Sequence, residues 1–281
     1  MHASNYIQSP DGLSLFCQTW SPSKPKAVII IVHGTGEHSG RYQLFSEQCV
    51  KGDIAVVAPD LRGFGQSEGV RGHINNFQEY IDDLHRLIQR VSTNFNDLPI
   101  FLFGHSLGGL VVIRYSQIYP TETKGIILSA PALALRLKIP LIAKKAIDLS
   151  SRFIPAFSIN PMKWQSVIRK MGQLGPYIPQ PKALQYDPHM TAEITPKWLA
   201  ELLRNGMSAL TDAASFRNPV LCVYDKRDPI VQPVIIQDFL DKLEVLDKKW
   251  LSFNDGFHHL LHPEYYRKTI ADIVKWMDQR V

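Results

Sequence analysis

The stretch Pro99–Gly109, P-I-F-L-F-G-H-S-L-G-G, restricts the folds open to this chain more than any other. Ile100–Phe103 is a continuous apolar run between Pro99 and Gly104, the pattern of a strand buried on both faces. After Ser106 the sequence becomes the mostly apolar L-G-G-L-V-V-I-R-Y-S-Q-I-Y, which reads as a helix stopped at Pro120. The junction Gly104-His105-Ser106-Leu107-Gly108 is therefore a G-x-S-x-G in strand–turn–helix context. Its glycines suit a turn too tight for a Cβ, and the serine is left on strained backbone with its hydroxyl exposed. The helix that starts there aims unpaired N–H groups at charge developing on a reacting atom. Ser106 is the candidate nucleophile.

The flanking sequence supplies a sheet for this turn. Leu13–Trp20 alternates after Asp11-Gly12 and suits an antiparallel strand at the sheet edge. Ala27–Val32 and Ile54–Ala58 read as buried strands around a helix at Tyr42–Lys51, and Phe77–Val91 as an amphipathic helix. Gly125–Ser129 is a further strand. This alternation predicts an α/β fold with a mostly parallel central sheet and helices on both faces. From Pro131 the rhythm breaks into a proline-rich tract without a convincing strand, then resumes with strands at Val220–Tyr224 and Lys249–Phe253 and helices at Val234–Leu243 and Glu264–Gln279. The expected organisation is a core of residues 1–132 and 217–281, with residues 133–216 as a helical cap over the carboxyl ends of the strands.

Composition narrows the function classes. The net charge of +5 comes from dispersed bases offset by 26 acids, so nucleic acid is not an expected partner. Cys17, Cys49 and Cys222 are far apart and form no C-x-x-C, which suits small buried residues in a reducing compartment. The N-terminal residues lack a signal-peptide pattern, and no apolar run approaches the ~20 residues that span a bilayer. A cytoplasmic protein is expected.

A serine hydroxyl needs a base, and the base an orienting acid; in this fold both follow the serine, in loops after later strands. The loop after Val220–Tyr224 offers Asp225 and Asp228, and the loop after Lys249–Phe253 offers His258, His259 and His262. A metal site built from those three histidines finds no supporting cluster of acids or cysteines.

These motifs carry a resemblance. H-G-T-G-E-H-S-G-R-Y, D-L-R-G-F-G-Q-S-E-G, R-G-H-I-N-N-F, G-H-S-L-G-G, D-P-I-V and G-F-H-H-L-L-H-P-E make the chain similar to the monoacylglycerol lipase and lysophospholipase group of α/β-hydrolases, which are S33-like. The resemblance implies that fold and a Ser-His-Asp triad. It selects Asp228, which precedes an apolar pair, over Asp225, which stands where relatives usually have glycine. It selects His259, three residues after Gly256 and five before Glu264, with His258 as the runner-up. It further implies an oxyanion hole from the backbone N–H groups of Thr35 and Leu107. Glu37, Arg41 and His262 match polar residues near the alcohol end of a bound glyceride, and a loop-bracing salt bridge is their alternative reading. The implied substrate is a small-molecule lipid ester with one acyl chain, cleaved without cofactor or metal. A general carboxylesterase and a non-catalytic binding scaffold are the alternatives.

The cap sequence bears on substrate. Ile139–Ile154 has apolar residues broadly on one side and Lys144, Lys145, Asp148 and Arg152 on the other. That is the pattern of peripheral contact with an anionic membrane surface, and equally of a lid helix packed on the core. Met162, Trp164, Ile168, Met171, Ile194, Trp198, Leu199 and Leu202 are expected to form the lid's own core and an apolar underside facing Ser106.

Overall fold

The fold is that of a computed structural model, which describes residues 1–136, 147, 149, 150, 153, 157, 158, 160, 187–259 and 266–281. Five strands are buried along their whole length: β3 (Ala27–Val32), β4 (Ile54–Pro59), β5 (Ile100–His105), β6 (Gly125–Ser129) and β7 (Val220–Asp225). Continuous burial of this kind requires helices on both sides. With β1 (His2–Gln8), β2 (Ser14–Trp20) and β8 (Lys248–Phe253) they form an eight-stranded sheet of order β1-β2-β4-β3-β5-β6-β7-β8. β2 runs antiparallel to β1 and β4, and every other neighbouring pair is parallel. The chain winds one way from β3 to β4 and the other way from β5 onward. The crevice beyond the carboxyl ends of β3 and β5 is thus the topological switch point, where ligands bind in open α/β sheets.

The edge strand departs from expectation. β2 is second from the edge, and the outer strand is β1, whose sequence H-A-S-N-Y-I-Q buries only Ile7. A strand held by its backbone ladder, with His2 stacked on Trp20 and Tyr6 set edge-on to Phe16, leaves no apolar alternation to read.

Helices α1 (Gln43–Lys51) and α6 (Tyr266–Asp278) pack against one another on one side. On the other side lie α2 (Gln78–Asn94), α3 (Leu107–Ile118), α4 (Pro196–Thr211) and α5 (Pro233–Lys242). α4 lies within the expected cap, yet it packs on α3 and completes the helical layer of the core. Thr195 caps it by accepting the Trp198 amide at 3.2 Å, and Pro196 occupies the first turn, where its missing N–H costs nothing. Trp198, Leu202 and Ala209 join the main hydrophobic core, and the Trp198 indole donates to Tyr80 Oη at 3.1 Å. Trp198 and Leu202 are therefore core residues, not part of a separate lid core. Most of Ile139–Ile154, and Met162, Trp164, Ile168 and Met171, lie outside the described residues. Of the apolar residues in that stretch, Ile147, Leu149 and Phe153 are described; Ile147 is half-buried, and Leu149 and Phe153 are 59% and 77% exposed.

Candidate active site

The turn after β5 is shaped by exclusion. A Cβ at Gly104 would lie 2.4 Å from the Gly108 carbonyl oxygen, and one at Gly108 would lie 2.1 Å from that of Val32. Only glycine allows β5, β3 and α3 to approach so closely. Ser106 between them has φ 51° and ψ −112°, a conformation that costs a non-glycine residue energy and persists because its surroundings fix it. Its N–H donates to Ser129 O at 2.9 Å, while its C=O accepts from the amides of Leu110 and Ala132.

Ser106 Oγ lies 3.0 Å from His258 Nε2, and His258 Nδ1 lies 2.7 Å from Asp228 Oδ2. Asp228 is fully buried, and its other carboxylate oxygen accepts the amides of Ile230 at 2.7 Å and Val231 at 3.0 Å. The ring beside Ser106 and Asp228 is thus that of His258, not of His259 as the motif spacing led us to expect. The His259 ring turns away, with Nε2 3.1 Å from Glu37 Oε1 and its centroid 4.7 Å from that of His105. Adjacent residues on one extended loop cannot both present imidazoles to the same serine and acid. Motif spacing is blind to a one-residue shift along such a loop. His262 lies outside the described residues.

Asp225, unassigned from sequence, is also fully buried. Its Oδ1 accepts the Arg227 amide at 2.7 Å, and Oδ2 accepts the amides of Asp255, Gly256 and Phe257 at 2.9, 3.0 and 3.4 Å. Asp60 plays a similar part on the other side, taking the amides of Ser39 and Gln66. A sequence signal existed for both: an acid directly at a strand's carboxyl end, followed by a turn.

Glu37 and Arg41 come together beside the serine. Glu37 Oε2 accepts the Gly34 amide at 3.0 Å and the Tyr42 hydroxyl at 2.9 Å, while Oε1 faces His259 and, at 3.5 Å, Arg41 Nε. Burial pushes the Glu37 carboxyl up, but His259, His105 and Arg41 together hold it well below the usual carboxylate range. Burial and Glu37 push the Tyr42 phenol far above its ordinary value. Burial lowers His105 well below its ordinary value, and its Nδ1 lies 3.1 Å from both Ser129 O and Ser129 Oγ. Although Arg41 Nε and His259 Nε2 sit at ion-pair distance from Glu37, both are buried without a hydrogen-bond partner of good alignment. Ligand atoms of Glu37, His105 and His259 all lie within 4.8 Å of one another, but the Arg41 guanidinium beside the same carboxylate opposes a cation there.

Leu107 opens α3, so its N–H has no partner within the helix, and the Ser106 side chain does not cap it. The turn carrying Thr35 runs alongside: a Cβ at Gly34 would lie 3.4 Å from Ser106 Cβ. A cleft of about 550 Å³ lies elsewhere, between β8 and α6, lined by Lys249, Trp250, Lys275 and Trp276 among others. It holds no nucleophile–base pair, so chemistry and not volume locates the site.

Comparisons with known proteins identify the family. The family described as "Serine aminopeptidase, S33" matches residues 23–264. Phospholipase YtpA of Bacillus subtilis is 32% identical over 255 residues, covering 90% of this chain and 95% of that protein. Monoglyceride lipase of Rattus norvegicus is 28% identical over 281 residues, 98% of this chain and 90% of that protein. The crystal structure of Paleococcus ferrophilus monoacylglycerol lipase superposes with a TM-score of 0.82 at 28% identity, covering 95% of this chain and 99% of that one.

Proposed function

The chain belongs to the S33 serine aminopeptidase family of α/β-hydrolases, and from that premise we propose how it works. It is a carboxylic ester hydrolase acting on lipid esters. Ser106 Oγ attacks the ester carbonyl while His258 Nε2 takes its proton. Asp228 holds the imidazole tautomer and stabilises the imidazolium. The N–H groups of Thr35 and Leu107 meet the developing oxyanion, each such donor being worth ~3–4 kcal/mol. The imidazolium returns its proton to the departing alcohol, and water, activated by the same His258, then releases the acyl group and frees Ser106. The single observation that carries this reading is the continuous chain Ser106 Oγ–His258–Asp228 at 3.0 and 2.7 Å.

The substrate is an ester of one acyl chain with a small polar alcohol. The cluster of Glu37, Arg41 and His259 beside Ser106 supports hydroxyl recognition at the alcohol end. An aminopeptidase would instead need a carboxylate free for the substrate ammonium, and Glu37 is already matched by His259, Arg41 and Tyr42. Peripheral membrane contact through the cap is supported by the exposure of Leu149, Phe153 and Phe157. Among the described residues no helix is long and apolar enough to cross a membrane.

The test is a hydrolysis panel of monoacylglycerols, lysophospholipids, triacylglycerols, p-nitrophenyl acetate and aminoacyl amides, with fluorophosphonate labelling of Ser106. Turnover fastest on medium- or long-chain monoacyl esters, with labelling at Ser106, is expected. An optimum at acetate would leave a general carboxylesterase, and no labelling of folded protein would leave a binding scaffold.

A further inference from the structure

We propose that Asp225 is a positioning residue for the reaction: its buried carboxylate fixes the loop that holds His258 between Ser106 and Asp228. The inference rests on the serine-hydrolase reading above. Asp225 ends β7, at the point where the chain turns toward Asp228. Its main-chain carbonyl accepts the Asp228 amide at 3.2 Å, and its Oδ1 accepts the Arg227 amide, so it shapes the turn that carries the acid. Its Oδ2 lies on three successive amides, Asp255 to Phe257, the residues immediately before His258. Gly256 at φ 85° bends that loop so that the three N–H groups converge, a backbone nest for one anionic oxygen. One carboxylate therefore sets the relative position of acid and base, which lie on loops after two different strands.

The arrangement also shows why Asp225 is not itself the triad acid. Both its oxygens are taken by amides, whereas Asp228 keeps Oδ2 for His258. Burying a carboxylate is costly unless donors surround it, and four amides do so here, while the neighbouring Lys226 and Arg227 side chains are exposed. Without that carboxylate the three loop amides lose their common acceptor, and the loop is free to move relative to β7. Misplacing a catalytic group by about 1 Å can cost ~10²-fold in rate.

The experiment compares the wild type with Asp225→Ala and with Asp225→Asn. Asparagine keeps the size but offers only one acceptor oxygen and turns an NH₂ toward donors. Steady-state hydrolysis of a p-nitrophenyl ester, fluorophosphonate labelling of Ser106, and the downfield imidazole N–H resonance shared by His258 Nδ1 and Asp228 are read on each folded protein. Expected is a fall in kcat of ~10²-fold for Asp225→Ala and a smaller fall for Asp225→Asn. KM should stay within about twofold, since no substrate contact is touched. Labelling should slow in parallel, and the resonance should weaken in both variants. An Asp225→Asn protein with wild-type kcat, labelling and resonance overturns the inference and leaves the hydrolase reading intact. One that cannot fold makes Asp225 a structural anchor and overturns it too. Wild-type protein that is folded but unlabelled at Ser106 overturns both.

Discussion

Replacing each of the two adjacent histidines separates their roles. His258→Ala removes the imidazole 3.0 Å from Ser106 Oγ and leaves Asp228 buried without it. Loss of the base from such a triad costs on the order of 10⁶-fold in kcat, because the nucleophile and base act as a unit. His259→Ala removes a neighbour of Glu37 instead. Breaking a buried pair typically costs about 3–5 kcal/mol. Here Glu37 keeps the Gly34 amide, the Tyr42 hydroxyl and Arg41, so its charge is not left uncompensated and the loss falls below that range, at about 1–2 kcal/mol. For a chain of this size that is a fall in Tm of roughly 2–5 °C. The assay is kcat and KM on a p-nitrophenyl ester beside thermal unfolding of the same preparations. His258→Ala should be inert and should also melt earlier, since buried Asp228 loses its imidazole partner. His259→Ala should keep kcat on the p-nitrophenyl ester within about tenfold, melt earlier, and lose more on monoacylglycerol. An active His258→Ala protein beside an inert, folded His259→Ala protein would refute the reasoning and return the base to His259.

Ser106→Ala should abolish hydrolysis at unchanged or raised Tm, since alanine removes the hydroxyl and no core contact; activity above a trace in pure protein would displace the nucleophile. Glu37 has its pKa lowered on folding, so its ionic contribution is full above the unfolded value near 4.5 and is lost as pH falls through the lower folded value. The stability gap between wild type and Glu37→Gln should therefore shrink as urea unfolding is followed from pH 7 toward pH 3, and a gap independent of pH would contradict this. Gly108→Ala should prevent folding or expel the serine turn, because its Cβ would meet the Val32 carbonyl at 2.1 Å; a soluble, active variant by circular dichroism and ester turnover would count against the packing given for the turn.

Legibility followed burial. β3 and β6 occupy the spans that their apolar runs predict, because a strand covered on both faces must be apolar throughout. β1 was invisible because its pairing is a backbone matter and its side chains face solvent. At the site, the serine turn was legible because glycine at fixed offsets has a steric cause that composition alone can carry. Motif spacing pointed to His259, whereas His258 is the ring beside Ser106, because the two differ in no local property. What separates them is Asp225 gripping the amides up to Phe257, and Glu37 drawing the next ring aside, both far away in sequence. Trp198 misled for the opposite reason: an apolar helix reads alike whether it lines a lid or completes the core, and only its contact with Tyr80 decides.

Where the chain leaves the core and returns to it ties substrate choice to catalysis. On departure, Leu135 bridges Val231, the Arg136 amide donates to Ile230 O at 2.7 Å, and the Arg136 guanidinium reaches Asp228 O. On return, the Thr191 amide donates to Gly36 O at 3.1 Å, Asp187 pairs with His38 at 2.8 Å, and Arg41 touches the Met190 sulfur. Residues 135–136 thus stand on the turn of Asp228, and residues 187–191 on the loop of Thr35 and Glu37. Gly36 admits the second approach because a Cβ there would lie 2.2 Å from Thr191 O. Sequence change between residues 136 and 187 can therefore leave Ser106, His258 and Asp228 in register, because these two seams hold the loops on either side. The same seams help to explain why a serine, an acid and a histidine from three distant loops remain aligned.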